Sequence, residues 1–109
     1  MGPIIEKISI DDANEMIRVN SDLIILDVRT SNEFGDDRLV NSINIDFYGE
    51  TFRDELNKLD KNGTYIIYCR SGNRSGQTLE IMDELKFMEV YDFGSFVEWK
   101  GAGYDTVNG

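Results

Sequence analysis

The chain has 109 residues, with 21 acidic and 11 basic side chains, one cysteine and no histidine. This length predicts one domain over residues 1–109, and the formal net charge of −10 argues against nucleic acid and anionic membranes as general partners. A single cysteine excludes an internal disulfide, and because histidine is missing we expect no metal site and no cofactor.

The N-terminal part of the chain shows strand-like and helix-like patterns in alternation. A short strand is expected at residues 6–8, followed by a helix that Ser9 or Asp11 caps and that ends near Asn20. The continuous apolar run at 23–29 is typical of a central strand buried on both faces. The predicted core-facing residues of the first helix are Ala13, Met16, Ile17 and Val19.

The segment from residue 30 to residue 63 contains fewer apolar residues. We expect a turn at 30–34, a polar loop at 35–42 and a short strand at 43–45. Residues 48–59 have apolar side chains at helical spacing, which predicts a helix, and 60–63 form a turn.

The C-terminal part continues the alternation with two strands, at 64–68 and 90–93, and two helices. The first helix begins at about Ser75, and the second follows Gly94 and contains Trp99 as a core residue. Strands that alternate with helices indicate an α/β fold with a parallel sheet covered on both faces. The expected apolar positions of the first helix are Leu79, Ile81, Met82, Leu85 and Met88.

Two charged residues, Asp27 and Arg29, end the strand-like run at 23–29. Ligands of open α/β sheets gather at the carboxyl ends of strands, so these side chains could support a site there. The alternative is a structural ion pair or a cap for the next turn, and we favour this structural role.

The most distinctive stretch is the Cys69 loop, residues 69–74, which joins the strand at 64–68 to the following helix. Backbone N–H groups of such a loop converge on one point near the positive end of the helix, and they bind anions there. These N–H groups and the guanidinium groups of Arg70 and Arg74 favour the thiolate form of Cys69. A buried, inert cysteine is the alternative, and the flanking arginines and Gly72 argue against it.

Several segments together resemble a single-domain rhodanese over nearly the whole chain. The matching segments are Leu26-Asp27-Val28-Arg29-Thr30, Ser42-Ile43-Asn44-Ile45, Tyr68-Cys69-Arg70-Ser71-Gly72-Asn73-Arg74-Ser75, Val90-Tyr91-Asp92-Phe93 and Trp99. The resemblance implies a three-layer α/β domain, in which a five-stranded parallel sheet has helices on both faces.

The resemblance also implies a sulfurtransferase. Cys69 would accept a sulfane sulfur, the backbone from Arg70 to Ser75 would form an anion cradle that includes Ser71, Gly72 and Asn73, and Arg70 and Arg74 would face the substrate. The expected donor is thiosulfate or a persulfide, and the expected acceptor is cyanide or a thiol, including a protein thiol. Attack by a thiolate on the outer sulfur of thiosulfate needs no histidine, because sulfite leaves as a stable anion.

Three alternatives remain open from the sequence. A cysteine-dependent phosphatase or a related arsenate reductase also places a thiolate in a strand-loop-helix cradle. By resemblance, such phosphatases use five residues between Cys and Arg, whereas four residues separate Cys69 from Arg74 here, and this smaller loop suits a single sulfur atom better than a phosphate group. The third alternative is a catalytically weak module of the same fold that binds a protein partner or relays sulfur.

The sequence shows no apolar run of about 18 residues and no basic segment followed by an apolar one at the N-terminus. We therefore expect no membrane span and no secretory signal. The expected location is the cytoplasm.

Overall fold

The computed structural model describes residues 2–109 and contains seven strands and five helices within that range. The strands are β1 (Ile4–Lys7), β2 (Ile24–Asp27), β3 (Asp37–Arg38), β4 (Ser42–Asn44), β5 (Thr64–Cys69), β6 (Glu89–Ser95) and β7 (Val107–Asn108). The helices are α1 (Ile10–Val19), α2 (Ser31–Asp36), α3 (Phe52–Asn57), α4 (Asn73–Glu84) and α5 (Phe96–Gly101).

Five of the strands form one sheet in the order β1-β6-β5-β2-β4, and every neighbouring pair in it is parallel. Strand β5 lies in the middle, and its residues from Tyr65 to Cys69 are at most 1% exposed. An apolar run that is buried on both faces is the expected sequence pattern of such a strand. The predicted five-stranded parallel sheet is confirmed.

Helices cover both faces of the sheet. On one face, α3 and α4 pack Leu56 and Met82 against β5, and on the other face α1 and α5 contribute Ala13 and Trp99. The predicted α/β architecture with three layers is therefore confirmed, and Trp99 is a core residue, 3% exposed. Within residues 2–109, no helix has both the length and the apolar character needed to cross a membrane.

Two expected core residues are exposed. Helix α1 starts after Ser9, whose hydroxyl accepts a hydrogen bond from the Asp12 N–H at 3.0 Å, as the sequence predicts. Val19, however, is 69% exposed, because it is the last residue of α1 and lies outside its buried stripe. Met88 is 41% exposed, because α4 ends at Glu84 and Lys86 turns the chain with a φ of +72°.

The expected turn at 30–34 and loop at 35–42 are wrong in part. Thr30 and Glu33 form a capping box, in which each side chain accepts a hydrogen bond from the backbone N–H of the other, and α2 starts there. After α2, β3 pairs antiparallel with β7, which the sequence analysis did not predict.

Two helix boundaries also differ from the prediction. The helix expected at 48–59 is the shorter α3, because the Asp46 carboxylate accepts a bond from the Tyr48 N–H at 2.9 Å and holds a turn before it. Helix α4 begins at Asn73 rather than at about Ser75.

Candidate active site

Cys69 is the last residue of β5, in the middle of the sheet, and α4 begins four residues later. Its side chain is 1% exposed and packs into the core on the α3 and α4 face. Gly72 is the N-cap of α4, so the Cys69 loop delivers the chain into the positive end of a helix of 12 residues. The predicted strand-loop-helix arrangement is present.

Three groups surround the Cys69 sulfur. The Gly72 N–H donates to Sγ at 3.0 Å, the Ser75 N–H donates to Sγ at 3.3 Å, and the Ser75 hydroxyl oxygen lies 3.5 Å from Sγ. Because the hydroxyl rotates, it accepts from the neutral thiol and can donate to the thiolate. Hydrogen-bond donors that converge on a sulfur atom in this way stabilise negative charge on it.

The side chains of the loop contribute unequally to this arrangement. Those of Arg70, Ser71 and Asn73 are exposed, and the Asn73 side chain accepts a bond from Gln77 rather than contacting Sγ. Among the loop and the residue after it, only Ser75 brings a side-chain hydroxyl to the sulfur. The cradle around Sγ is therefore mainly backbone.

Two glycines allow the loop to approach strand β6. Gly72 has a φ of +107° and Gly94 a φ of +82°, and a Cβ on Gly72 would lie 3.6 Å from the Gly94 Cα. The register of β6 against β5 shifts beside Gly94, since Ile67 pairs with Asp92 and Tyr68 pairs with Gly94. This bulge accompanies the close contact between Gly94 and Gly72 of the loop.

Replacing Gly72 with alanine is expected to lower the free energy of unfolding by about 1 to 3 kcal/mol, because a side chain at this φ strains the backbone. The control is Gly35→Ala in α2, where a Cβ would meet nothing within 4 Å. Alanine there should leave stability unchanged or raise it slightly. Urea unfolding measures the stability of both variants. If Gly72→Ala were as stable as Gly35→Ala, the left-handed conformation at position 72 would not require glycine.

The two arginines of the loop have different surroundings. Arg74 donates to both carboxylate oxygens of Glu33, at 2.7 and 3.1 Å, and its guanidinium lies 5.6 Å from the centre of the Tyr48 ring. Arg70 makes no side-chain hydrogen bond or ion pair with any residue in the described part of the chain. It lines a cleft of ≈ 470 Å³ whose wall includes Phe96 and Lys100. Among the two loop arginines, Arg70 is thus the unpaired one, and it lies at the wall of this cleft.

The pair between Glu33 and Arg74 connects α2 to the start of α4. The hydrogen bonds that Glu33 accepts from Arg74 lower the pKa of Glu33 from 4.5 to about 2. Hydrogen bonds with Thr30 lower this pKa further, whereas burial of the carboxylate raises it. Sequence pattern does not reveal this contact, because the two residues are 41 positions apart. The spacing of Thr30 and Glu33 is that of a capping box. This pattern predicts the start of a helix, but it does not predict the ion pair between Glu33 and Arg74.

We expect Glu33→Gln to lower the free energy of unfolding at neutral pH by about 1 to 3 kcal/mol. Because the folded-state pKa of Glu33 is depressed, the stability that its ionised form contributes is fully present above pH 4.5. This contribution is lost as the pH falls towards about 2. The parent and variant should therefore become similar at the acid end of a pH series of denaturant unfolding curves. Glu84→Gln, which removes the exposed partner of Arg53, is the control and should have little effect. A constant gap down to the acid end would contradict this assignment.

Asp27 and Arg29 form a buried ion pair at the end of β2. The Arg29 guanidinium donates to the Asp27 carboxylate at 2.7 Å and lies 4.2 Å from the centre of the Phe96 ring. The Arg29 side chain is 4% exposed and that of Asp27 0%. Arg29 reaches the wall of the same cleft as Arg70, whereas Asp27 lies behind it. The pair holds the carboxyl end of β2 against α5.

Comparison with known proteins agrees with this arrangement. The family model described as "Rhodanese-like domain" matches residues 9–102. The chain is 30% identical over 97 residues to the putative sulfurtransferase YtwF of Bacillus subtilis, a match that covers 89% of this chain and 92% of that protein. It is 32% identical over 69 residues to the thiosulfate sulfurtransferase PspE of Escherichia coli, with 63% of this chain and 66% of that protein covered.

A solved structure has the same fold as this chain. The crystal structure of a rhodanese-related protein from Thermoplasma volcanium superposes with a TM-score of 0.81 at 29% identity, and the match covers 94% of this chain and 97% of that one. The match to the family model, the named relatives and the fold all indicate the same family. The two relatives named above are both described as sulfurtransferases. The chain belongs to the rhodanese-like domain family.

Proposed function

We propose that the protein transfers a sulfane sulfur through a persulfide on Cys69. The observation that carries this proposal is the pair of N–H donors from Gly72 and Ser75, 3.0 and 3.3 Å from the sulfur of the only cysteine in the chain. The names of the relatives support the same class of reaction, and one of them is named for thiosulfate. We therefore propose thiosulfate as the donor that a first assay should use.

The proposed first step is attack of the Cys69 thiolate on the outer sulfur of thiosulfate. A bond forms between Sγ and that sulfur, the S–S bond of thiosulfate breaks, and sulfite leaves with the electron pair. The loop N–H groups face the charge on the bound anion and on the persulfide, and donors of this kind contribute about 3 to 4 kcal/mol each when well placed. Arg70, unpaired and exposed at the cleft, is proposed to attract the dianion.

In the second step, cyanide or a thiolate attacks the outer sulfur of the persulfide. The bond from Sγ to that sulfur breaks, and the Cys69 thiolate returns with the electron pair of that bond. No proton has to pass through the protein in the cyanide reaction, which suits a chain without histidine. With a thiol acceptor, including a thiol on a partner protein, one proton leaves as the thiolate forms.

Arg74 has a weaker case than Arg70 as a substrate cation, since Glu33 already neutralises it. If Arg74 nevertheless acts on thiosulfate, Glu33→Gln frees its charge and should lower the KM for thiosulfate. An unchanged KM in that variant would assign Arg74 to the structure of the loop and leave Arg70 as the substrate cation.

The assay that tests the proposal measures thiocyanate formed from thiosulfate and cyanide, next to hydrolysis of an aryl phosphate by the same sample. We expect thiocyanate formation that saturates with thiosulfate and no phosphate release above the background rate. Phosphate release that disappears in Cys69→Ser would favour the phosphatase. A folded protein that does neither with any sulfane donor would favour the binding module.

A further inference from the structure

Asp92 is a buried carboxylic acid with an unsatisfied oxygen. It is 3% exposed, and its Oδ1 atom has no hydrogen-bond partner among residues 2–109. Asp27, the other buried carboxylate, accepts four hydrogen bonds from three N–H groups of Arg29. An unpaired ionised carboxylate in such a place is costly, whereas a neutral acid is far cheaper to bury. From the sequence, Asp92 is expected only as a residue of the strand at 90–93, with no role in the site.

The position of Asp92 is directly behind the Cys69 loop. On β6 it pairs with Lys7 of β1 and with Ile67 of β5, immediately before the bulge. Its Oδ1 lies 4.0 Å from the point where a Cβ on Gly94 would sit, and Gly94 packs against Gly72. Asp92 also lines a cavity of ≈ 220 Å³ whose wall includes the two loop residues Ser71 and Gly72.

Charged and polar groups face Asp92 from each neighbouring element. Lys7 faces it from β1, the Ser75 hydroxyl from α4 and the Gly94 N–H from its own strand, while Glu98 of α5 lines the same cavity. From β5, Cys69 approaches the same Ser75 hydroxyl at 3.5 Å. Burial raises the pKa of Asp92, and Ser75, Gly94 and Lys7 offset only part of that rise. The acid therefore keeps its proton to a higher pH than an ordinary aspartate.

The two protonation states of Asp92 have opposite effects on the loop. As a neutral acid, Asp92 leaves the positive field of the loop N–H groups and of the α4 N-terminus unopposed. As a carboxylate, it places a negative charge behind the same N–H groups and repels a bound anion, in a buried region where charges are poorly screened.

We propose that Asp92 is a positioning and specificity-determining residue that sets the affinity of the Cys69 loop for anionic sulfur donors. The neutral acid permits tight binding of a dianion such as thiosulfate, and ionisation of Asp92 weakens it. The inference rests on the proposed function for the identity of the anion. The role is indirect, because Asp92 acts through the loop and does not contact the sulfur.

Asp92→Asn tests this inference, since asparagine keeps the shape of the side chain and cannot ionise. Initial rates of sulfite release, with cyanide as the acceptor at one fixed concentration, are measured against thiosulfate concentration in a series from about pH 5 to about pH 9. The KM of the parent, divided by that of the variant at the same pH, should rise by about fivefold or more as Asp92 ionises. The ratio of the two kcat values should stay within about twofold. The variant should also be at least as stable as the parent at alkaline pH, because a raised folded-state pKa costs stability as the pH rises through it.

Two further variants keep the test decisive if Asp92→Asn folds poorly. Lys7→Met removes a cation that favours the carboxylate, so the rise in KM should move to higher pH. Glu98→Gln removes an exposed carboxylate from the same cavity and should leave the pH of the rise where it is in the parent. A role in structure alone would change stability or kcat without moving that pH.

The outcomes separate this inference from the proposed function. A parent protein that releases no sulfite contradicts the proposed donor. A parent protein that releases sulfite, with a KM ratio to Asp92→Asn that is constant across the pH range, overturns the inference and leaves the proposed function standing. An unchanged midpoint in Lys7→Met overturns it as well.

Discussion

Replacing Cys69 with serine is expected to reduce thiosulfate-dependent formation of thiocyanate by at least about 1,000-fold. A serine hydroxyl does not ionise at neutral pH, and its oxygen is a poor nucleophile towards sulfur. The loss should be one of chemistry and not of folding, since the hydroxyl can keep the Gly72 and Ser75 contacts of the sulfur. Thermal unfolding of the variant should therefore remain close to that of the parent.

The matched control for Cys69→Ser is Ser71→Ala, in the same loop. The Ser71 side chain is exposed, and only its backbone belongs to the proposed cradle. Its activity should remain within about threefold of the parent, because the N–H groups that face the sulfur are unchanged. Retention of activity in Cys69→Ser would eliminate the persulfide route, and a large loss in Ser71→Ala would mean that loop side chains contribute more than the geometry indicates.

Asp27→Asn is expected to produce the largest loss of stability, about 3 to 5 kcal/mol, because it removes the close counter-ion of the buried Arg29 guanidinium and leaves only the Asp37 carboxylate, 3.9 Å away. Three N–H groups of Arg29 donate to the Asp27 carboxylate, at 2.7 to 2.9 Å. Arg29 also donates to the Asp37 carbonyl, so its displacement would loosen the segment that leads from β2 to β3. Denaturant unfolding measures the change, with Glu84→Gln as the exposed-pair control.

The turnover of the folded fraction of Asp27→Asn separates structure from chemistry. We expect it to be within about threefold of the parent, because Asp27 lies behind the cleft and contacts neither Sγ nor the loop N–H groups. A variant with parental stability and no activity would contradict the structural assignment and place Asp27 in the reaction.

The sheet and the position of the Cys69 loop were predictable because their physical causes are local. A strand buried on both faces needs a continuous apolar run, as residues 64–68 have, and the change from that run to helical spacing marks the loop. The single cysteine and its flanking arginines then lie at the carboxyl end of a central strand, where such sheets bind ligands. The same reasoning predicted the Ser9 cap of α1.

Features that depend on distant contacts were not predictable from local pattern. Strands β3 and β7 have two residues each and pair across about 70 positions, so neither has a pattern of its own. The contact between Glu33 and Arg74 neutralises a cation that the sequence assigned to substrate. An aspartate within an apolar strand was the one available indication of Asp92, but only the packing of β1, β6 and α4 shows that its oxygen is unsatisfied.

The intact mass of the protein after incubation with thiosulfate, before and after addition of cyanide, tests the persulfide route most directly. We expect the parent to gain the mass of one sulfur atom, Cys69→Ser to gain none, and cyanide to remove the added sulfur as thiocyanate. An unchanged mass in a folded parent that is offered thiosulfate and then a persulfide donor would contradict the central claim that Cys69 carries the sulfur.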